Sequence, residues 1–187
     1  MLTVLSSGII LEKCKGNDSM EPKQSTLRPI LPEDQAVILE ILTSGKVNQT
    51  YMLPDFESKD AAIPLFTRLM SLSKDPDRFV RCIALEDTAV GFLNDVEIKN
   101  GCIELGYVIH PKFHNKGYMT HALKLAIGQH FELGYAKVEC GAFEENKASQ
   151  RVMEKAGMVK IEKTEQIEYR GKIHNCVYYE IRNRKGD

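Results

Sequence analysis

Apolar residues recur along this chain with two periods, and the places where one gives way to the other divide it into elements. From Ser25 to Ile30 the pattern reads as a strand; Pro32 then opens a helix with Val37, Ile38, Ile41 and Leu42 on one face, and Gly45 ends it. Ser58 is placed to cap a second helix bearing Ala62, Leu65, Phe66, Leu69 and Met70, while Pro64 predicts a kink or a later start. From Arg78 the period changes to that of strands. Phe79 to Leu85, Ala89 to Ile98 and Cys102 to Ile109 are separated by the turn signals Glu86-Asp87 and Lys99-Asn100-Gly101, which predicts an antiparallel meander.

A helix follows from about Gly117 to Glu132, with Met119, Ala122, Leu123, Ala126, Ile127 and Phe131 at helical spacing and Gly134 as its stop. Then come a strand from Ala136 to Gly141, a helix from Asn146 to Lys155 stopped by Gly157, and two runs, Met158 to Tyr169 and Lys172 to Ile181, joined at Arg170-Gly171. The order makes an α/β (α+β) fold of about seven strands and about four helices, mostly antiparallel. A helix between the last meander strand and the next strand implies one parallel pair.

Length and composition change this picture little. The 187 residues suit one domain, expected over 25–187 after an N-terminal extension, 1–24, in which Met20 is an alternative start. The N-terminal run has no basic region or cleavage site of a secretory signal, and no apolar stretch approaches the length of a bilayer span, so cytoplasmic residence without membrane contact is expected. Twenty-five Lys and Arg against 26 Asp and Glu argue against a nucleic-acid partner. Cys14, Cys82, Cys102, Cys140 and Cys176 lie far apart and read as free thiols, and the five histidines lack ligand spacing, so no metal is expected.

Chemistry concentrates in His110-Pro111-Lys112-Phe113-His114-Asn115-Lys116-Gly117-Tyr118-Met119-Thr120, where a strand ends, a loop turns and a helix starts. First-turn amides of a helix have no intrahelical partner and stand at the positive end of its dipole, so they can hold a phosphate or pyrophosphate. The residues match neither a Walker A loop nor a Rossmann fingerprint, which disfavours ATP and NAD.

The run Ile103-Glu104-Leu105-Gly106-Tyr107-Val108-Ile109-His110-Pro111, continued by Asn115-Lys116-Gly117-Tyr118-Met119-Thr120, resembles the central motif of the GNAT acetyltransferase superfamily. Asn146-Lys147-Ala148-Ser149 and Glu154-Lys155-Ala156-Gly157-Met158 resemble the family's next motif at the expected separation. Together they look most like the ribosomal-protein (RimJ/RimL-like) N-acetyltransferase branch, over roughly Ser25 to Ile181. The resemblance implies the GNAT fold, with its sheet splayed at the fourth and fifth strands. It also implies transfer of acetyl from acetyl-CoA directly to an amine, a protein N-terminus or a small molecule, by a monomer or homodimer. A catalytically silent acyl-CoA sensor is the alternative.

Carried onto these residues, the resemblance implies that Tyr107, Val108 and Ile109 pair their backbone with the pantetheine arm. Likewise His114, Asn115, Lys116, Gly117, Tyr118, Met119 and Thr120 would offer amides to the pyrophosphate. His114 and Met119 depart from the family's usual Gln or Arg and Gly or Ala; the Met119 side chain is without effect if its backbone amide faces the phosphate, and otherwise narrows the loop or weakens cofactor binding. Met153 stands where many members have a proton-donating Tyr, leaving Ser149 as the acid facing the sulfur. Asn146 reads first as a helix N-cap, and in the family as a hydrogen-bond partner of the pantetheine. Glu104 shares its strand face with Gly106 and Val108, so its carboxylate is the candidate general base for the amine.

Overall fold

The computed structural model describes residues 24–183. The expected N-terminal extension up to residue 23, with Met20 and Cys14, lies outside the described residues.

Among the described residues, seven strands form one sheet in the order β1-β2-β3-β4-β5-β7-β6. They are β1 (Ser25–Arg28), β2 (Val80–Leu85), β3 (Thr88–Lys99), β4 (Cys102–Ile109), β5 (Lys137–Phe143), β6 (Val159–Tyr169) and β7 (Lys172–Arg182). Four helices flank it: α1 (Gln35–Leu42), α2 (Lys59–Leu72), α3 (Tyr118–Glu132) and α4 (Lys147–Lys155). All neighbours are antiparallel except β4 and β5, which run parallel because α3 crosses over between them. The mixed, mostly antiparallel sheet read from the sequence is the one observed.

The elements follow their local chemistry. Asn100 and Gly101 both have positive φ, the geometry of a two-residue turn whose twist matches the strands it joins. Ser58 Oγ accepts from the Ala61 amide at 3.1 Å and starts α2 at Lys59, so Pro64 lies inside the helix and neither delays its start nor ends it. The first strand is shorter than its apolar pattern, ending at Arg28, because Pro29 cannot donate to the ladder. Pro32 opens a 3-10 turn, Pro32–Asp34, that leads into α1.

Two cores lie on opposite faces of the sheet. Side chains from α1 and α2, Ile38, Ile41, Leu42 and Phe66 among them, pack with Cys82, Ala84, Phe92 and Val108 on one face. Met119, Leu123 and Ala126 of α3 and Met153 of α4 pack with Leu93, Ile103, Leu105 and Val138 on the other. Burying one such Leu or Phe stabilises by about 1.5–3 kcal/mol. The period-two alternation of β4 therefore has a consequence for the site: Ile103, Leu105 and Tyr107 face α3 and α4, while Glu104, Gly106 and Val108 face the other way.

Strand β3 carries two irregularities opposite its neighbours. Val90 is an extra residue relative to β2, since Ile83 pairs with Gly91 and Ala84 with Ala89, and Val96 is an extra residue relative to β4, between the pairs Asp95–Leu105 and Glu97–Glu104. A methyl group added at Gly91 would stand 2.3 Å from the Val108 carbonyl oxygen and 2.9 Å from the Ile109 Cα, both backbone atoms that cannot yield locally. Gly91→Ala is expected to destabilise the fold by about 1–3 kcal/mol, the range for overpacking, measured by chemical denaturation.

Candidate active site

β4 and β5 are paired only at Cys102–Lys137, Ile103–Val138 and Glu104–Glu139, and then separate. The step at which they part is the step at which Val96 interrupts the β3–β4 ladder. A bulge bends and twists its strand, and here it carries the rest of β4 away from β5. Asp95 holds the bulge from behind: its buried carboxylate accepts from the Phe79 amide at 2.8 Å and from Arg78 Nε at 2.7 Å, while its own amide donates to the Phe79 carbonyl. The fork opens a cleft of about 360 Å³ between the diverging strands and the N-termini of α3 and α4.

Backbone direction within β4 sorts the three expected pantetheine contacts. The His110 amide donates to Val90, and the Val108 carbonyl lies against Gly91, so these groups face β3. By alternation those of Tyr107 and Ile109 face the gap. The expectation for Val108 is corrected accordingly: its polar backbone faces the β3 ladder and its side chain is buried in the α1/α2 core. The Ile109 carbonyl is already taken by His114, whose Nε2–H donates to it at 3.0 Å. That bond ties the strand end to the loop and gives the unexpected histidine a local role.

In the loop, Asn115 and Gly117 have φ of +60° and +81°, while His114 between strand and loop is extended, so left-handed residues alternate with residues of negative φ as they do in an anion nest. Gly117 is the N-cap of α3 and supplies no side-chain acceptor, so the first-turn amides of Tyr118, Met119 and Thr120 keep their hydrogens for something else. The Met119 side chain is buried between α3 and the sheet, at the edge of the cleft it helps to line. Lys116 reaches back over the Phe113 ring, its ammonium 5.5 Å from the ring centre.

α4 contributes the opposite wall. Asn146 caps it, Oδ1 accepting from the Ser149 amide at 3.1 Å, an interaction worth about 1 kcal/mol, which leaves the side-chain NH2 as what Asn146 can offer to the cleft. Ser149 lines the cleft, and its Oγ lies 2.7 Å from the Tyr107 hydroxyl. Burial pushes the Tyr107 phenol well above the usual tyrosine range, so it stays protonated. Arg151 and Lys155, one turn apart on α4, and Lys46, before a 3-10 turn at Val47–Gln49, also line the cleft with positive charge. None of the three stood out in sequence; the i, i+4 spacing of Arg151 and Lys155 after Asn-x-x-Ser was the available signal.

Glu104 is the last β4 residue paired with β5, and it stands on the other face of the sheet from Ser149. It does not line the large cleft; it lines a smaller pocket of about 250 Å³ with Cys102, Glu97, Lys137 and Glu139. Its neighbour along that face, Gly106, does line the cleft. Burial raises the Glu104 carboxyl above the ordinary range; Lys163, 3.7 Å away, opposes this, while Glu139, Glu165 and Glu97 reinforce it. Lys163 is shared, its ammonium 3.3 Å from Glu139, 3.9 Å from Glu165 and 3.9 Å from the centre of the Tyr178 ring.

Above Gly106 stands Tyr51, its hydroxyl 2.5 Å from Asn94 Oδ1 and 3.2 Å from where a side chain at Gly106 would begin. The segment carrying it is held by Tyr169 at the tip of the β6–β7 hairpin. The Tyr169 hydroxyl lies 2.9 Å from the Asn48 carbonyl, 3.2 Å from that of Leu53 and 3.3 Å from that of Tyr51. Arg170 also pairs with Asp55. Sequence reasoning missed Tyr51 and Tyr169, since no periodicity links residues 118 apart. Among the described residues no group of three or more His, Cys, Asp or Glu is placed to hold a metal ion, and no helix is long and apolar enough to cross a membrane.

A family model described as acetyltransferase (GNAT) domain matches residues 25–159. Among curated proteins, YoaA of Bacillus subtilis, an uncharacterized N-acetyltransferase, is 25% identical over 147 residues, which cover 75% of this chain and 82% of that protein. Among solved structures, a spermidine N-acetyltransferase from Vibrio cholerae in complex with CoA and spermine has a TM-score of 0.73 at 19% identity, covering 87% of this chain and 97% of that one. The ribosomal-protein-S5-alanine acetyltransferase from Vibrio fischeri has a TM-score of 0.72 at 17% identity, covering 89% and 97%. Both structures share the fold.

The raised carboxyl of Glu104 has a consequence for stability. Folding holds the proton more tightly than the unfolded chain does, so the ionised form at neutral pH weakens the fold, and this penalty vanishes below the carboxylate range. Glu104→Gln is therefore expected to stabilise the protein at neutral pH, with a gain that fades as pH falls through that range, read from denaturation midpoints at each pH. Lys163 keeps Glu139 and Glu165 as partners in the variant.

Proposed function

The chain belongs to the GNAT acetyltransferase family, and on that premise we propose that it carries acetyl from acetyl-CoA directly to a primary amine, a protein N-terminus or a small-molecule amine. The observation that carries this reading is the fork: a strand edge unpaired with β5 at Tyr107 and Ile109, its Ile109 carbonyl tied to His114, runs straight into the amide nest at Asn115 to Thr120. An elongated ligand with amides at one end and a pyrophosphate at the other matches that sequence of donors and acceptors. The Asn146 NH2 is placed for the pantetheine, and Arg151, Lys155 and Lys46 supply countercharge.

In this reading the thioester lies where the strands part. The amine enters from the α1/α2 face, between Tyr51 and the terminal hairpin, and Glu104 takes up its proton through a water, since the carboxylate stands one alternation step from Gly106. A carboxyl held above the ordinary range suits a base that must accept a proton from an ammonium. The neutral nitrogen attacks the acetyl carbonyl, an amide beside Val108 at the strand edge stabilises the developing oxyanion, and the nitrogen's extra proton leaves to solvent as the intermediate collapses to the amide. As the C–S bond breaks, Ser149 donates to the sulfur and is reprotonated from solvent. Met119 is packed into the core, which weakens one motive for a silent sensor. The finer assignment, to a RimJ/RimL-like enzyme of the cytoplasm, rests on the motifs and on neighbours that include acetyltransferases of ribosomal proteins. A polyamine acceptor is supported by the spermidine enzyme.

Acetyl-CoA at 100 times its Kd is expected to stabilise the protein by about 2.7 kcal/mol, whereas ATP and NAD leave the melting temperature unchanged; equal stabilisation by ATP would refute the site. Gly117→Val, forced into a left-handed conformation at a cost of about 1–2 kcal/mol, should weaken acetyl-CoA binding by about tenfold or more in calorimetry while the protein still folds.

Spermidine and Ala- or Ser-initiated peptides, assayed by release of free CoA thiol, test the transfer itself. With the best acceptor, Glu104→Gln should lower turnover by about two to four decades, a loss that shrinks as pH rises and more amine is already neutral. Ser149→Ala should show no such rescue. Wild-type rates for Glu104→Gln at every pH would leave Glu104 a bystander.

A further inference from the structure

We propose that Tyr107 is a positioning residue for Ser149: its hydroxyl holds the Ser149 side chain in the rotamer that faces the sulfur and lets the serine hydroxyl switch from resting bond to donor without moving a heavy atom. The inference rests on the role given to Ser149 above and extends it to a residue whose expected contribution was its backbone alone.

The geometry carries the argument. Ser149 is the third residue of α4, its amide tied to Asn146 Oδ1 at 3.1 Å, so its backbone is fixed and χ1 is the freedom that remains. Across the cleft floor, the Tyr107 ring packs into the α3/α4 core and its hydroxyl meets Ser149 twice, at 2.7 Å from Oγ and 3.2 Å from the carbonyl oxygen. These are two hydrogen-bonding patterns with the same atoms in the same places. In one, the Ser149 hydroxyl donates to the Tyr107 oxygen and the Tyr107 hydroxyl donates to the Ser149 carbonyl. In the other, the Tyr107 hydroxyl turns to donate to Ser149 Oγ, which frees the serine hydrogen to point into the cleft.

Both patterns keep the Tyr107 and Ser149 hydroxyls bonded to each other, and they differ only by two O–H rotations that leave the serine hydrogen engaged in the first and free for the sulfur in the second. The first is the pattern at rest. The second is favoured as negative charge grows on the departing sulfur, because a hydroxyl that accepts a hydrogen bond is a better donor in turn. Burial keeps the Tyr107 phenol protonated, so it supports Ser149 as a donor and is not itself consumed. No bond to Tyr107 is made or broken. A phenylalanine would fill the same core space, so the hydroxyl has no packing role of its own.

The test is a double-mutant cycle on the full chain with acetyl-CoA and whichever of spermidine or the peptide panel is turned over. Tyr107→Phe is expected to lower kcat by about tenfold, leaving the melting temperature, the calorimetric affinity for acetyl-CoA and its KM close to wild type. In the Ser149→Ala background the same change should add nothing, because the residue it positions is gone. Wild-type kcat for Tyr107→Phe, alongside an impaired Ser149→Ala, would overturn the proposal and leave the serine's own role standing. A further loss on adding Tyr107→Phe to Ser149→Ala would also overturn it, by showing that Tyr107 acts on the substrate directly. Ser149→Ala at wild-type rate would remove the underlying role and the positioning with it.

Discussion

The cleft depends on one extra residue in β3, Val96, and on the buried carboxylate beside it. Asp95 takes hydrogen bonds from Arg78 and from the Phe79 amide, pinning the chain on one side of the bulge to the start of β2. With that side fixed, the bend is expressed in β4, which leaves β5 after Glu104. A regular ladder here would pair β4 with β5 to its end and satisfy the backbone groups of Tyr107 and Ile109 within the sheet. The sheet's irregularity is therefore what leaves polar backbone free in the middle of a well-packed domain. Such groups are costly when buried without partners and useful when they line a cleft.

The same fork divides the chemistry between faces. β4 alternates strictly through its exit, so Tyr107 points toward α4 and meets Ser149, while Glu104 and Gly106 point toward the face covered by α1 and α2. Charge follows the division. Lysines and arginine ring the cleft where the nest opens, and carboxylates gather around Lys163 on the far face. An anionic ligand on one side and a cationic amine on the other would each approach a surface of opposite sign, with the parted strands as the place where they meet. The terminal hairpin closes the second approach through Tyr169 and Arg170, which hold the segment that carries Tyr51.

Much of this was legible in the sequence because the signals are local. Period two over Cys102 to Ile109, period 3.6 over Tyr118 to Glu132, and the turn pair Asn100-Gly101 each depend on residues close in the chain, and the observed elements agree to within a residue or two. The N-cap at Asn146 and the nest around Gly117 are likewise matters of a few consecutive φ/ψ angles. Two points that the local reading left open or misjudged involve the direction of groups within an element. The Met119 side chain faces the core because it falls on the apolar stripe of α3, and the Val108 backbone faces β3 because alternation within β4 gives the gap to its neighbours.

What the sequence by itself determined was the order of elements, the place of the loop before α3 and the identity of the residues along β4 and α4. Tertiary structure alone decided which of them meet. That Tyr107 touches Ser149, that Lys163 meets Glu104 and Glu139 and that Tyr169 holds the Tyr51 segment are contacts between residues 42, 24 or more, and 118 apart, set by strand register and by where the bulge bends the sheet. Strand register is a property of pairs of strands and a bulge is a property of their mismatch, so neither is written in the period of any one segment.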